Sequence, residues 1–118
     1  MKSLSIFVLL ALSGPLAMSA TLKGDVYSPK AGIVCDKKAH FCADDQGISL
    51  AFTKEYLGAK AEAIMLGRIK EAGGPGNYDM TWFGFSNGVD CKVKEKLCRV
   101  SKHSDKADTA HTKALFGR

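Results

Sequence analysis

The stretch Phe85-Ser86-Asn87-Gly88-Val89-Asp90-Cys91-Lys92-Val93-Lys94-Glu95-Lys96-Leu97-Cys98 decides the fold class. Asn-Gly between two strand-like runs marks a tight hairpin, because a type I′ turn needs positive φ at both central positions and these residues tolerate it. Before it lies Met80-Thr81-Trp82-Phe83-Gly84-Phe85-Ser86, rich in aromatic residues. After it, Val89, Cys91 and Val93 alternate with Asp90, Lys92 and Lys94, as in a strand with one buried face. Leu97 to Val100 adds a third strand, so the region reads as an antiparallel meander.

Six residues separate Cys91 from Cys98, and six separate Cys35 from Cys42. The surroundings match as well: Gly32-Ile33-Val34-Cys35 to Phe41-Cys42 runs parallel to Gly88-Val89-Asp90-Cys91 to Leu97-Cys98. The first pair therefore predicts a second, shorter hairpin over 31–43. Four cysteines allow three connectivities. With Lys94-Glu95 or Lys38-Ala39 at the turn, Cys91 faces Cys98 and Cys35 faces Cys42, at strand-pair distances that suit a disulfide. A four-residue loop closes the same hairpins equally well. Each local bridge is worth about 2.5 kcal/mol by loop entropy, and crossed bridges about 4 kcal/mol, so local pairing rests on geometry rather than on maximal stabilisation. Six intervening residues are loose for a four-cysteine zinc site, whose knuckles hold two to four. A CxxC redox pair is absent from the sequence.

Between the hairpins the pattern is helical. Ser49 is a suitable N-cap for Leu50 to Leu57, with Gly58 as the stop, and a second helix runs from Ala59 to about Ala72 before Gly73-Gly74-Pro75-Gly76. Leu57, Ala61, Ile64, Met65 and Ile69 form its expected buried stripe. Residues 101–112 (SKHSDKADTAHT) are polar and expected to be loose, with Leu115 and Phe116 docking the tail. The fold class is α+β: two short disulfide-closed hairpins or an antiparallel meander, packed with one or two helices.

The start of the chain is an address. Met1 to Ala20 combines Lys2, an apolar run from Leu4 to Leu12, a Gly14-Pro15 break and small residues at the end. That is the layout of a secretory signal peptide, cleaved after Ser19 or Ala20. The apolar run is about half the length of a membrane span, which needs about 20 residues, and no later segment is apolar enough, so no membrane insertion is expected. Export into an oxidising compartment agrees with an even cysteine count.

The whole chain has 118 residues, formal net charge +5 and one domain's worth of sequence. Residues 21–118 are expected to form a single disulfide-stapled domain with 16 basic against 12 acidic side chains. A chain of this size buries about 60–65% of its unfolded surface, a thin core that cross-links help.

Candidate chemistry is sparse. No GxSxG elbow appears, and bridged cysteines are not nucleophiles, so no catalytic residue and no cofactor is assigned. His40 with Asp36, Asp44 and Asp45 makes a weak divalent-cation candidate beside the simpler reading of a solvated loop that helps start the next helix. His103 and His111 with Asp105 or Asp108 are a weaker metal candidate still. Lys92, Lys94, Lys96 and Arg99 alternate along the second hairpin and are expected to form one positive face, either as a charged edge or as a docking surface for an acidic partner. Tyr78, Trp82, Phe83 and Phe85 exceed what one strand face buries, leaving Trp82 a candidate contact anchor. Nucleic acid is disfavoured, since no stacking platform interleaves that charge.

Ser28 to Ser49, Thr53 to Gly58, Phe83 to Cys98 and the closing Lys113-Ala114-Leu115-Phe116-Gly117 resemble the Fels prophage protein-like, or YcgJ-like, family over residues 28–118, most specifically in Gly32 to Ser49 and Phe85 to Cys98. The resemblance implies a small exported protein of Gram-negative bacteria and their prophages, located in the periplasm, and transfers no catalytic residue. The functional expectation is a non-enzymatic binding or accessory protein of the envelope or of host interaction. Two alternatives are an inhibitor or immunity protein against a cell-wall hydrolase, using His40 or the basic hairpin, and a weak metal carrier.

Overall fold

The computed structural model describes residues 19–118. The expected signal segment falls almost wholly outside them. Five strands, β1 (Ala20–Lys23), β2 (Val26–Lys30), β3 (Ile33–Asp36), β4 (Phe41–Asp44) and β5 (Gly47–Ser49), form one antiparallel sheet in chain order. Helices α1 (Leu50–Leu57) and α2 (Ala59–Glu71) follow. A second antiparallel sheet holds β6 (Trp82–Gly84), β7 (Asp90–Lys92) and β8 (Leu97–Arg99), and α3 (Thr109–Phe116) ends the chain. The class is α+β, with both disulfides closing hairpins.

Cys35 pairs with Cys42 and Cys91 with Cys98, each across directly opposed strand positions with Cα atoms 4.0 Å apart. Both hairpins use four-residue loops, not two-residue turns. The fourth loop residue, His40 in one and Lys96 in the other, takes a left-handed conformation (φ 63° and 51°) that returns the chain to the sheet. Asn87-Gly88 differs from the type I′ expectation: positive φ occurs only at Gly88 (96°). Ser86, Asn87 and Gly88 form a three-residue loop, with Gly88 N–H bonded to Phe85 O and Phe85 N–H to Val89 O. Asn87 keeps a negative φ, and its side chain braces the loop: its Oδ1 accepts from Val89 N.

Ser49 caps α1 through Phe52 N, and Gly58 (φ 97°) ends it. Of the expected α2 stripe, Ala61, Met65 and Ile69 are buried and Ile64 is half-buried. Residues 101–112 are not loose throughout. Asp108 caps α3 through His111 N, so 109–112 are its first turn, and Val100 N–H and Asp108 N–H bond to Lys106 O and Cys98 O. The tail docks as expected, with Leu115 buried.

The two halves repeat one another. In each, a cystine hairpin leads to an eight-residue helix, and a threonine in that helix accepts from the second cysteine's N–H: Thr53 from Cys42 (2.8 Å) and Thr112 from Cys98 (2.9 Å). Thr53-Lys54-Glu55-Tyr56-Leu57-Gly58 matches Thr112-Lys113-Ala114-Leu115-Phe116-Gly117. Cysteine and threonine are 11 residues apart in the first unit and 14 in the second, an offset that hides the repeat in the bare sequence.

The units pack through one core. Val26, Val34, Phe41 and Ala43 of the first sheet meet Phe83, Phe85, Val89, Leu115 and the second disulfide. Phe85 stacks on Phe41 with centroids 5.4 Å apart, and Phe83 meets both edge-on. On the opposite face of the first sheet, Cys35–Cys42 packs under Phe52, Tyr56 and Leu57 of α1. Asp36, fully buried, joins the units. Its carboxylate accepts from Lys38 N and Ala39 N in its own loop and from Ser86 N and Oγ, 50 residues away. A second junction is backbone to backbone: Ile48 N–H bonds to Met80 O at 2.8 Å.

Asp36→Ala is expected to cost about 3 kcal/mol or more in urea denaturation, because it removes the shared acceptor of four part-buried donors at once; a loss under about 1 kcal/mol would show that the carboxylate is not the pin. Gly47 combines φ 127° with a position where a Cβ would lie 2.3 Å from Met80 O. Gly47→Ala is therefore expected to lower stability by about 3 kcal/mol, checked in the same assay, by adding backbone strain to a clash with main chain.

Candidate functional site

The strand register sorts the second sheet's residues between its faces. Phe83, Cys91 and Cys98 point to the core, while Trp82, Asp90, Lys92, Leu97 and Arg99 share the outer face. Trp82 lies opposite Lys92, and the residue is 43% exposed. Its Nε1 donates to Asp90 Oδ2 at 2.7 Å, which fixes the indole plane and satisfies a carboxylate that is itself largely buried. Lys92 Nζ sits 4.2 Å from the ring centroid and Lys102 Nζ 5.6 Å, both within cation–π range.

The four basic residues expected on one positive face separate. Lys92 and Arg99 lie on the outer face, but Arg99 donates to Glu95 Oε1 at 2.6 Å, and Lys92 is 4.0 Å from Glu95 Oε2. The hydrogen bond from Arg99, helped by the charges of Arg99 and Lys92, holds the Glu95 carboxyl below its ordinary range. Lys94 stands near Asp79, Thr81 and Trp82 at one end of the patch. Lys96, turned by its left-handed backbone, lines a groove of about 430 Å³ between the hairpin loop and α3, with Leu97, Thr109, Thr112 and Arg118. The loop's short helical turn at Val93–Glu95 breaks the strand alternation on which the single face was predicted.

Lys102 takes the place that Lys96 was expected to fill. Its segment is polar throughout, yet the pairing of Arg99 with Ala107 folds it back beside Trp82. The signal was present in the sequence: Asp108 and Gly117 bracket eight residues as Ser49 and Gly58 do, which places a helix there and shortens the free segment.

The metal candidates do not assemble. Among the described residues no three His, Cys, Asp or Glu side chains converge to hold an ion. Asp44 Oδ1 accepts from Gln46 N in the turn between β4 and β5, so this acidic pair shapes a hairpin and takes no part in starting α1. His40 N donates to Asp36 O in the neighbouring loop. His111 is buried, with Nδ1 2.9 Å from Asp108 Oδ1 and Nε2 3.1 Å from Asn87 Nδ2. The nearby hydroxyl of Ser86 donates to Asp36. Burial by itself would raise the Asp108 carboxyl, but the amide and ring of His111 outweigh it and hold the group below the usual carboxylate range. Asp79 is likewise lowered, by the hydroxyl and amide of Thr81.

Fold and face together define a small cystine-stapled α+β domain presenting a tryptophan between lysines. The family model described as YcgJ protein matches residues 26–116, and the chain belongs to that family. It is 41% identical over 100 residues, 79% of this chain and 75% of the relative, to the uncharacterized protein YcgJ of Escherichia coli strain K12. No solved structure matches.

A carboxyl whose folded value is depressed stabilises the fold above its unfolded value, about 3.9 for Asp, and that contribution is lost as pH falls through the folded value. Asp108→Asn keeps the cap but removes this contribution. The urea midpoint of the native protein should fall as pH drops below about 4, and the variant should fall less steeply. Equal slopes would show that Asp108 is not a source of the acid sensitivity.

Proposed function

We propose that this protein is an exported, periplasmic, non-enzymatic binding protein that recognises an acidic partner of the cell envelope or of a host through the outer face of its second sheet. The observation that carries the reading is Trp82, exposed and oriented by Asp90, with the ammonium groups of Lys92 and Lys102 over its ring. Tryptophan is among the residues most enriched where binding energy concentrates on protein surfaces. The signal-like segment over 1–20 and two closed disulfides support export, since such bridges persist in oxidising compartments. The non-enzymatic reading is supported by His111, the histidine best placed beside a carboxylate, being buried and bonded on both ring nitrogens. No described helix is long and apolar enough to cross a membrane.

The test is capture from a periplasmic extract, with the intact protein compared with Trp82→Ala and with Lys92→Ala/Lys102→Ala. The intact protein is expected to retain a partner that both variants lose by about tenfold or more, with retention falling as salt rises. Equal retention by all three proteins would remove the face from the binding site. If the retained partner is a cell-wall hydrolase whose activity falls on binding, the accessory role becomes that of an inhibitor.

A further inference from the structure

The internal repeat exposes a difference between the two sheets. By register, β6 occupies in the second sheet the place that β2 holds in the first: Tyr27 pairs with Cys35 as Phe83 pairs with Cys91. The outer edge of β2 is covered by β1. β5 approaches the start of that edge, where Ile48 N–H bonds to Met80 O, but no described strand pairs with Trp82–Gly84 there.

The main-chain bonds show which groups that edge offers. Val93 N–H bonds to Thr81 O, and Phe85 N–H to Val89 O, both at 2.8 Å. Residues 81, 83 and 85 therefore turn their polar groups toward β7, and the N–H and C=O of Trp82 and Gly84 turn the other way. Both residues are exposed. A shallow depression of about 370 Å³ lies against β6, lined by Trp82, Phe83, Gly84, Asp90 of β7 and Lys102. An unpaired apolar edge is a template for a further strand.

The charges indicate what kind of strand. Of the carboxylates near the edge, Asp90 has Trp82 Nε1, Glu95 has Arg99 and Asp79 has the amide and hydroxyl of Thr81, while Asp105 lines a neighbouring depression with Lys92, Arg99 and Lys102 without pairing with them. Lys94 and Lys102 form no ion pair among the described residues, and the contact of Lys92 with Glu95 is at the outer limit of one. A second copy of this chain would bring the same lysines against them, which like charge opposes. We infer that β6 takes up an extended segment of a partner protein as an added strand, with acidic side chains at alternate positions facing Lys92 and Lys102. This deepens the binding role proposed above and rests on it.

The probe is a short acetylated peptide of alternating Glu and Thr, added to isotope-labelled protein while amide exchange is followed by NMR. In the free protein the amide protons of Trp82 and Gly84 should exchange readily; with peptide they should slow by about tenfold or more, and Trp82 emission should shift. A Lys-for-Glu peptide should bind at least about tenfold more weakly. Gly84→Pro removes an outward N–H without touching the bonds to β7 and should weaken the Glu peptide by about tenfold. The same loss with a Glu peptide N-methylated at alternate amides tests the point on unaltered protein. Binding with unchanged exchange at Trp82 and Gly84 overturns the added strand and leaves lysine-based recognition standing. So does a peptide that fails to bind while the lysine-dependent capture persists. Protection of the two amides before any peptide is added, or growing with protein concentration as dimer forms, overturns it in favour of the chain's own segment or a second copy. Capture that ignores Lys92 and Lys102 removes the binding role itself.

Discussion

Asp36 carries the heaviest constraint in this fold. A carboxylate removed from water is costly unless donors replace its hydration, and here four do. Two come from the loop that follows it, where Lys38 N and Ala39 N shape the first cystine hairpin. The other two come from Ser86, at the start of the loop joining β6 to β7. Neither loop can move without exposing the other's partner. The same group therefore sets the shape of one unit and the docking of the second. Around it the aromatic cluster of Phe41, Phe83 and Phe85 supplies non-directional attraction, while Asp36 supplies the register.

Repetition explains how so short a chain builds two sheets. Each unit staples a hairpin whose strands are only three or four residues long, then covers the cystine with a helix tied to it by a threonine. Isolated hairpins of that length are marginal in water, and a bridge worth about 2.5 kcal/mol shifts the balance. The units are not equivalent in surroundings. The first sheet is covered on both faces, by α1 and by the second unit, and β3 is buried along its whole length. The second sheet keeps one face open to solvent, so its outer positions hold Trp82, Lys92 and Arg99 where the first sheet must hold apolar or fully bonded groups.

What could be read from the sequence were the local devices with strong physical signatures. Cystine spacing placed both pairs, Ser49 and Gly58 bounded α1, and alternation through Cys91 placed β7. The strands β1, β2 and β5 were not legible, because they are three to five residues long and Pro29 lies within β2. Their existence depends on pairing with β3 and β4 and not on their own propensity. The candidate site was half legible. Lys92 and Arg99 followed from alternation along the hairpin and Trp82 from the surplus of aromatic residues, but Lys96 left the face because the loop bends at a left-handed residue. Lys102 joined it because a polar segment folds back, which composition does not reveal.

The cluster that most resembles catalytic machinery serves the fold instead. Val89 N–H donates to Asn87 Oδ1, so the amide nitrogen of Asn87 is the donor toward Lys23 O and His111 Nε2, both at 3.1 Å. His111 Nε2 must then accept, which leaves the proton on Nδ1 to donate to Asp108. That carboxylate in turn caps α3 through His111 N. One asparagine, one histidine and one aspartate thus fasten β1, the loop before β7 and the last helix together, with every polar atom of the imidazole used. A base engaged on both nitrogens and closed from solvent has no face left for a substrate, and the surface chemistry of the domain returns to the tryptophan and lysines of the open sheet.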